Sequence, residues 1–399
     1  MAPSLPLLVP TLVGMSMLGA YVGPAALGRN GFGDASAMYF LAPADPARSG
    51  YPGAPGPVFK DYTGVAAVDG LLAALVAYFS ALLDGDDVAP RFRLYGYWAF
   101  WQFGGLVVVL VLEGLRRGNR GILASWTSTM LFFGQVVSWQ VLMPLWVLLF
   151  LLTSPLAKAT PKASLLVELW DMTVLPATVL LTIALPTVAM YLPPASVSAK
   201  QHYAAIAFWQ AFPLWHYLAH AVLSALGRVL FSGQGAALPS SAYLSRVRGV
   251  YDLVFLGGAA GQLPILLLAL APEGALSAAA DSFPWLKPYV AASVTLGSVF
   301  QPWSPFSPPT VDAASVGPGD LAPPAVNFLH WDVYLGAGSL LLWALYLHCA
   351  AVRKGSLIVL LAKVAVWFCL GGFASAVAAL LWERDVYVLE SDGDVKKEA

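Results

Sequence analysis

Apolar residues in this chain arrive in long, nearly uncharged blocks, and that one feature decides which solvent it can fold in. Leu123–Leu152 carries no charged residue, and Ser356–Leu381 carries only Lys363. A hydrocarbon core ~30 Å thick is crossed by about 20 apolar residues in helix. Only 11% of the 399 residues are charged and 59% are hydrophobic. A soluble domain keeps about a quarter of its residues charged, so a water-exposed surface is excluded and lipid is the medium. The expected fold is all-α: a polytopic integral membrane bundle of about 8–10 transmembrane helices. Residues 1–382 form one transmembrane domain, and the charged stretch 383–399 is expected to be a disordered tail.

The candidate spans are Leu5–Leu27, Gly64–Leu83, Leu94–Leu115, Leu123–Leu152, Leu166–Leu192, Tyr203–Phe231, Val250–Ala271, Tyr289–Pro302, Trp331–Val352 and Ser356–Leu381. The first has no basic residue ahead of its apolar core and outruns a signal peptide, so it reads as a retained helix. The eighth is short and ends in a Pro-rich run, which suits a re-entrant or interfacial segment as well as a span. Pro144 is expected to kink the fourth span, and Pro176 and Pro186 the fifth. Basic residues do not settle orientation. Arg116, Arg117 and Arg120 agree with Arg353-Lys354 on a cytosolic side, whereas Arg228, Arg246 and Arg248 then fall on the other.

Several functions are excluded. With 21 basic and 22 acidic residues the chain has no electrostatic footprint for nucleic acid. No phosphate-binding glycine loop and no Asp-rich diphosphate motif is present. Cys349 and Cys369 lack metal or CxxC spacing and read as buried small hydrophobes. Lys363 lies mid-span but has Val359, not an acid, four residues earlier, which argues against a retinal Schiff base. His216 and His220 share a helical face without a second ligand pair, so hydrogen-bonded structural histidines are expected and no metal.

What remains is a set of acids in or beside spans: Asp61, Asp69, Glu113, Glu168, Asp171, Asp252 and Asp332. A charge at mid-membrane costs ~2.5–3.5 kcal/mol, so a carboxyl there marks a functional site by default. Burial disfavours the ionised form, and a neutral carboxylic acid in a dry pocket is a proton donor. Asp69 lies early in the second span and Asp332 is read as opening the ninth; helix capping competes with function at both. Glu113 stands three and four residues before Arg116 and Arg117, so an ion pair competes there. The 14 tryptophans fit interfacial belts. Trp209, Trp215, Trp331 and Trp343 lie beside polar partners such as Gln210 and His330, and aromatic faces stabilise cations.

Motifs spread over about residues 60–345 carry a resemblance. They are Asp61-Tyr62-Thr-Gly, Val68-Asp69-Gly-Leu-Leu72, Glu113-Gly-Leu-Arg-Arg-Gly-Asn119, Met143-Pro-Leu-Trp146, Trp209-Gln-Ala-Phe-Pro213 and Phe328-Leu-His-Trp-Asp-Val-Tyr-Leu-Gly336, with Trp343 following. In their order and spacing the chain resembles the fungal membrane-bound terpene cyclases, the family of the ascofuranone-pathway cyclase. The resemblance implies a lipophilic prenylated aromatic substrate with a terminal epoxide. An acid protonates the epoxide, and an internal alkene or hydroxyl closes a ring through carbocation-like intermediates. It implies no metal, nucleotide or other cofactor, and residence in an internal membrane such as the endoplasmic reticulum. By motif position the catalytic acids are Asp332, Asp69 and Glu113, with Asp332 or Asp69 as general acid and the other as partner or base. Trp209, Gln210, Trp331, His330 and Tyr62 are the substrate-binding candidates. Residues 232–300 match least.

The competing readings are a transporter of a small solute, a receptor-like or scaffolding protein, and a sterol-isomerase-like enzyme sharing the buried-acid logic. Convergence of Asp69, Glu113 and Asp332 on one apolar cavity separates the cyclase from the first two.

Overall fold

A computed structural model describes residues 5–41, 50–84, 88–158, 162–192, 196–231, 240–352 and 355–390, and every regular element among them is helical. Seven helical stretches among the described residues are long and apolar enough to cross a membrane. The main elements are α1 (Leu5–Val22), which resumes after Gly23 as Pro24–Arg29, then α2 (Ala66–Leu83), α3 (Pro90–Leu115), α4 (Thr127–Val137) and α5 (Trp139–Thr153). There follow α6 (Leu169–Val179, continuing through the π-helical Leu180–Ala184 into Leu185–Met190), α7 (Ala199–Gln210), α8 (Phe212–Leu230), α9 (Ser240–Leu270), α10 (Ala322–Ala351) and α11 (Leu357–Glu390).

The bundle is organised around α3, whose most apolar window is 67% buried against 17% for that of α11. Helices α9, α10 and α11 pack on α3, and α5 lies between α1 and α10. Local sequence sets the starts. Pro90 opens α3, where its missing amide costs nothing, and Ser198 with Gln201 forms a capping box for α7.

Besides the eighth, two of the predicted spans are not crossings, and one of them, Leu357–Glu390, is among the seven that length and composition alone would allow to cross. The fourth breaks at Ser138, six residues before the proline expected to kink it, and folds back on itself. Both ends of this hairpin meet the C-terminal end of α3. Thr127 lies against Gly114, and Ser154 Oγ bonds Asn119 Oδ1 at 2.6 Å. At 1.5 Å per residue its arms reach only about 16 and 22 Å, so its tip lies at about mid-depth. The tenth span behaves alike. Lys363 Nζ bonds Glu383 Oε2 at 2.6 Å across 20 residues, a separation of about 30 Å in a straight helix. The chain reverses at Gly371–Gly372, where Gly372 has φ 68°.

Broken helix inside lipid is tolerated only where protein satisfies the freed backbone groups. At the α11 turn this is done by Gln102 of α3, whose Oε1 accepts the Ala374 N–H at 3.0 Å. A Cβ on Gly372 would collide with that same amide. Gly372→Ala is therefore expected to cost roughly 1–3 kcal/mol, read as a lowered melting temperature of the purified protein.

Other expectations need correction. The eighth span is no crossing: Lys287–Ala291 and Leu296–Phe300 are five-residue helices. The domain boundary at 382 falls inside α11, which continues to Glu390 because Arg384 and Asp385 are buried in a polar cluster. Residues 391–399 and Arg353-Lys354 lie outside the described residues. Asp332 does not open its helix, which starts at Ala322. Cys349 is half-buried and Cys369 exposed on an outer apolar face, so neither is a core residue.

Candidate active site

At the tip of the α4–α5 hairpin lies a cavity of about 490 Å³. Its walls come from α2, α3, α7, α10, the stretch 24–41, and the hairpin turn. They are apolar and strongly aromatic. Trp209 packs on Phe79 and Phe100 with ring centroids 5.2 and 5.5 Å away, and Phe103 lies 4.8 Å from Trp139. Tyr78 and Phe328 meet edge to face at 5.0 Å on another wall.

Asp332 is the only carboxyl among the described residues lining this cavity. Its Oδ1 accepts the Gln140 N–H at 2.9 Å, and the Trp139 N–H is directed at the same carboxyl. These are first-turn amides of α5, which have no partner within their own helix. They face Asp332 because Ser138 takes φ 95°, ψ 148°, a conformation that side-chain-bearing residues rarely adopt. Gly336, one turn beyond Asp332, lets α10 approach so closely that a Cβ there would overlap the Trp139 indole. A strained turn and a glycine thus bring an acid and a helix N-terminus together beside an apolar void.

The other predicted acids are elsewhere. Asp69 holds the loop that precedes α2: Oδ1 accepts the Thr63 N–H at 2.7 Å and its hydroxyl at 2.8 Å, and Oδ2 accepts the Gly64 N–H at 3.0 Å. Glu113 lies seven residues beyond Leu106, the last α3 residue on the cavity, which is about 10 Å along the axis. It is fully buried in a quartet with Arg116, Arg384 and Asp385. Arg384 spans both Glu113 oxygens at 2.6 and 3.1 Å, and Arg116 bridges Glu113 to Asp385. Tyr251 OH donates to Asp385 Oδ2 at 3.1 Å, and Arg116 Nη1 donates to the Leu165 carbonyl at 2.6 Å. Two anions and two cations neutralise one another there. The three acids therefore do not converge.

Of the predicted binding residues, only Trp209 lines the cavity. Its Nε1 donates to Thr187 Oγ1 at 2.9 Å, which fixes the ring. Gln210 turns back to the Ile206 carbonyl at 3.3 Å. His330 is held to the Val299 carbonyl at 2.8 Å, and its ring lies tilted against Tyr95 with centroids 3.8 Å apart. Trp331 is not part of the wall. Tyr62 donates to the Phe59 carbonyl at 2.7 Å; burial, and then the nearby Asp69 charge, push its phenol above the usual range.

Sequence reasoning missed Phe79, Phe100, Phe103 and Trp139, single aromatics in apolar runs that nothing local distinguishes. It also missed a polar trio at the end of α2. There Asp84 accepts from Tyr51 OH at 2.6 Å and lies 2.6 Å from His202 Nε2, tying residue 51 and α7 together beside a second cavity of about 1270 Å³. His216 and His220 stand with ring centres 5.8 Å apart, and His216 Nδ1 is 3.3 Å from Thr182 Oγ1. Among the described residues no group of three or more His, Cys, Asp or Glu is arranged to hold a metal ion.

Comparison with known proteins adds the family. A family described as the CtvD domain matches residues 36–389. The chain is 32% identical over 182 residues to terpene cyclase ascI of Acremonium egyptiacum, covering 45% of this chain and 47% of that relative. It is 26% identical over 333 residues to terpene cyclase ctvD of Aspergillus terreus, covering 80% and 84%. Terpene cyclase janA of Penicillium janthinellum is 26% identical over 346 residues, covering 86% and 84%. No solved structure matches.

Proposed function

The chain belongs to the CtvD-domain family, and from that premise we propose that it is a membrane-embedded terpene cyclase in which Asp332 protonates the terminal epoxide of a prenylated aromatic substrate. The observation that carries the reading is the position of Asp332, a single carboxyl in an apolar, aromatic-walled cavity in the body of the bundle.

The chemistry follows from the wall. The Asp332 proton passes to the epoxide oxygen, and the C–O bond to the more substituted carbon breaks. An internal alkene or hydroxyl supplies the electron pair that closes the ring. The carboxylate left behind sits on the first amides of α5, where the helix N-terminus favours negative charge. Cationic carbon in the cavity faces Trp209, Phe100, Phe103 and Phe79, whose ring faces attract it without offering a nucleophile. Loss of a proton to the Asp332 carboxylate then restores the acid, so one residue serves as donor and final base. This replaces the two-acid scheme expected from the motifs.

In this reading cyclisation needs no metal. Incubation of membranes with EDTA is expected to leave turnover of an epoxidised farnesyl-phenol unchanged, measured by product chromatography. A loss reversed by added divalent metal would return His216 and His220 to the mechanism.

One observation favours a transporter: helices broken at mid-depth, with a half-helix N-terminus directed at a carboxyl. Transporters built from inverted repeats carry such hairpins at opposite ends of the bundle. Here both hairpins enter from the end marked by Glu113, since Ser154 bonds Asn119 and Arg384 bonds Glu113. The cyclase reading accounts for the apolar wall, which a polar solute would not use.

A further inference from the structure

A hairpin that reaches only mid-depth leaves the other half of its place in the helical wall unfilled. The candidate cavity lies at the tip of the α4–α5 hairpin. Its lining includes residues that also belong to the outer surface of the bundle: Leu41, Leu71, Val136 and Val137, exposed by 47, 39, 49 and 41%. All four are aliphatic. A mouth opening to water would be rimmed by polar or charged side chains, because apolar rims exposed to water cost about 25 cal/mol per Å². Val136 and Val137 immediately precede the Ser138 turn, so this opening is at the depth of the hairpin tip, facing acyl chains.

We propose that the gap above the α4–α5 hairpin is a lateral portal through which a lipophilic prenylated substrate passes directly from the bilayer into the Asp332 cavity. The proposal rests on the cavity receiving a prenylated lipophile, as the function above requires, and not on the cyclisation step. A terpenoid dissolved in the membrane then reaches the acid without crossing water. The hairpin does two jobs. Its tip presents the α5 amides to Asp332, and its shortness makes the doorway.

The test uses the full chain in nanodiscs, with Cys349→Ala and Cys369→Ala as background. Single cysteines are introduced at the rim (Leu71→Cys, Val137→Cys) and at Leu256, a control on α9 that is 71% exposed and lines no part of the cavity. Nitroxide labels at the rim positions are expected to relax with oxygen and not with a water-soluble nickel chelate, as at a lipid-facing site. A photoreactive, alkyne-tagged farnesyl-phenol is then crosslinked, and peptides carrying Trp139 and Phe328 are quantified by mass spectrometry. Bulky maleimides at position 71 or 137 are expected to cut this cavity labelling roughly tenfold, and the same label at 256 to leave it unchanged. Nickel-accessible rim labels, undiminished cavity labelling after blocking, or no cavity labelling in the unblocked protein would each overturn the portal. Cavity labelling with no cyclised product would instead count against the cyclase and leave the portal standing.

Discussion

Asp332→Asn is expected to lower turnover by about 10²–10⁴-fold, the range associated with losing a positioned general acid. The folded protein should survive. Asparagine is nearly isosteric with aspartate and keeps an oxygen that can accept the Gln140 N–H. The measurement is product formation from an epoxidised farnesyl-phenol in membranes, beside expression level and gel-filtration profile. Asp69→Asn is the contrasting case. One amide oxygen can still take the two Thr63 hydrogen bonds, while the Gly64 contact is lost. Its effect belongs to loop stability, with turnover changed far less than in Asp332→Asn. Equal, near-complete losses in both variants with folding intact would return Asp69 to the chemistry, and near-normal turnover in Asp332→Asn would remove the proposed acid.

The difference between these two aspartates shows what the sequence could express. Composition and block length gave the helical membrane bundle, because hydrophobic length is a property of contiguous residues. The reversals at Ser138 and Gly371–Gly372 were not legible. Each lies inside a long run without a charged residue, and the proline that does stand out, Pro144, is carried inside α5. A hairpin in lipid is stabilised by distant partners: Gln102 for one turn, Asp332 for the other. Local pattern cannot announce such partners.

The same limit applies to the site. Intramembrane acids were a sound lead, but the cost of burying a carboxyl does not say how that cost is met. Asp69 meets it with backbone and hydroxyl donors, Glu113 with two guanidinium groups, and Asp332 with a helix N-terminus beside empty apolar space. Only the last arrangement leaves a carboxyl beside room for a ligand. The aromatic wall gathers Phe79, Phe100 and Trp209 from three helices, so its composition follows from tertiary packing and not from any motif.

The buried quartet leads to the second large effect, on folding. Arg384→Met is expected to destabilise the protein by about 3–5 kcal/mol, because it leaves Glu113 and Asp385 with only Arg116 for compensation in a fully buried site. Little folded protein should be recovered from membranes. The companion Glu113→Gln leaves the opposite imbalance, an excess guanidinium, and should be comparably harmful. Combining the two restores neutrality: Arg116 then pairs with Asp385 alone, and the amide oxygen introduced at position 113 can still accept from Arg116. The double variant should therefore be more stable than either single variant, with a favourable coupling of about 1–3 kcal/mol in a double-mutant cycle on melting or denaturant midpoints. If Glu113 instead took part in proton transfer, the recovered double variant would be folded and inactive. With Glu113 serving only to balance charge, the double variant regains turnover in step with its stability.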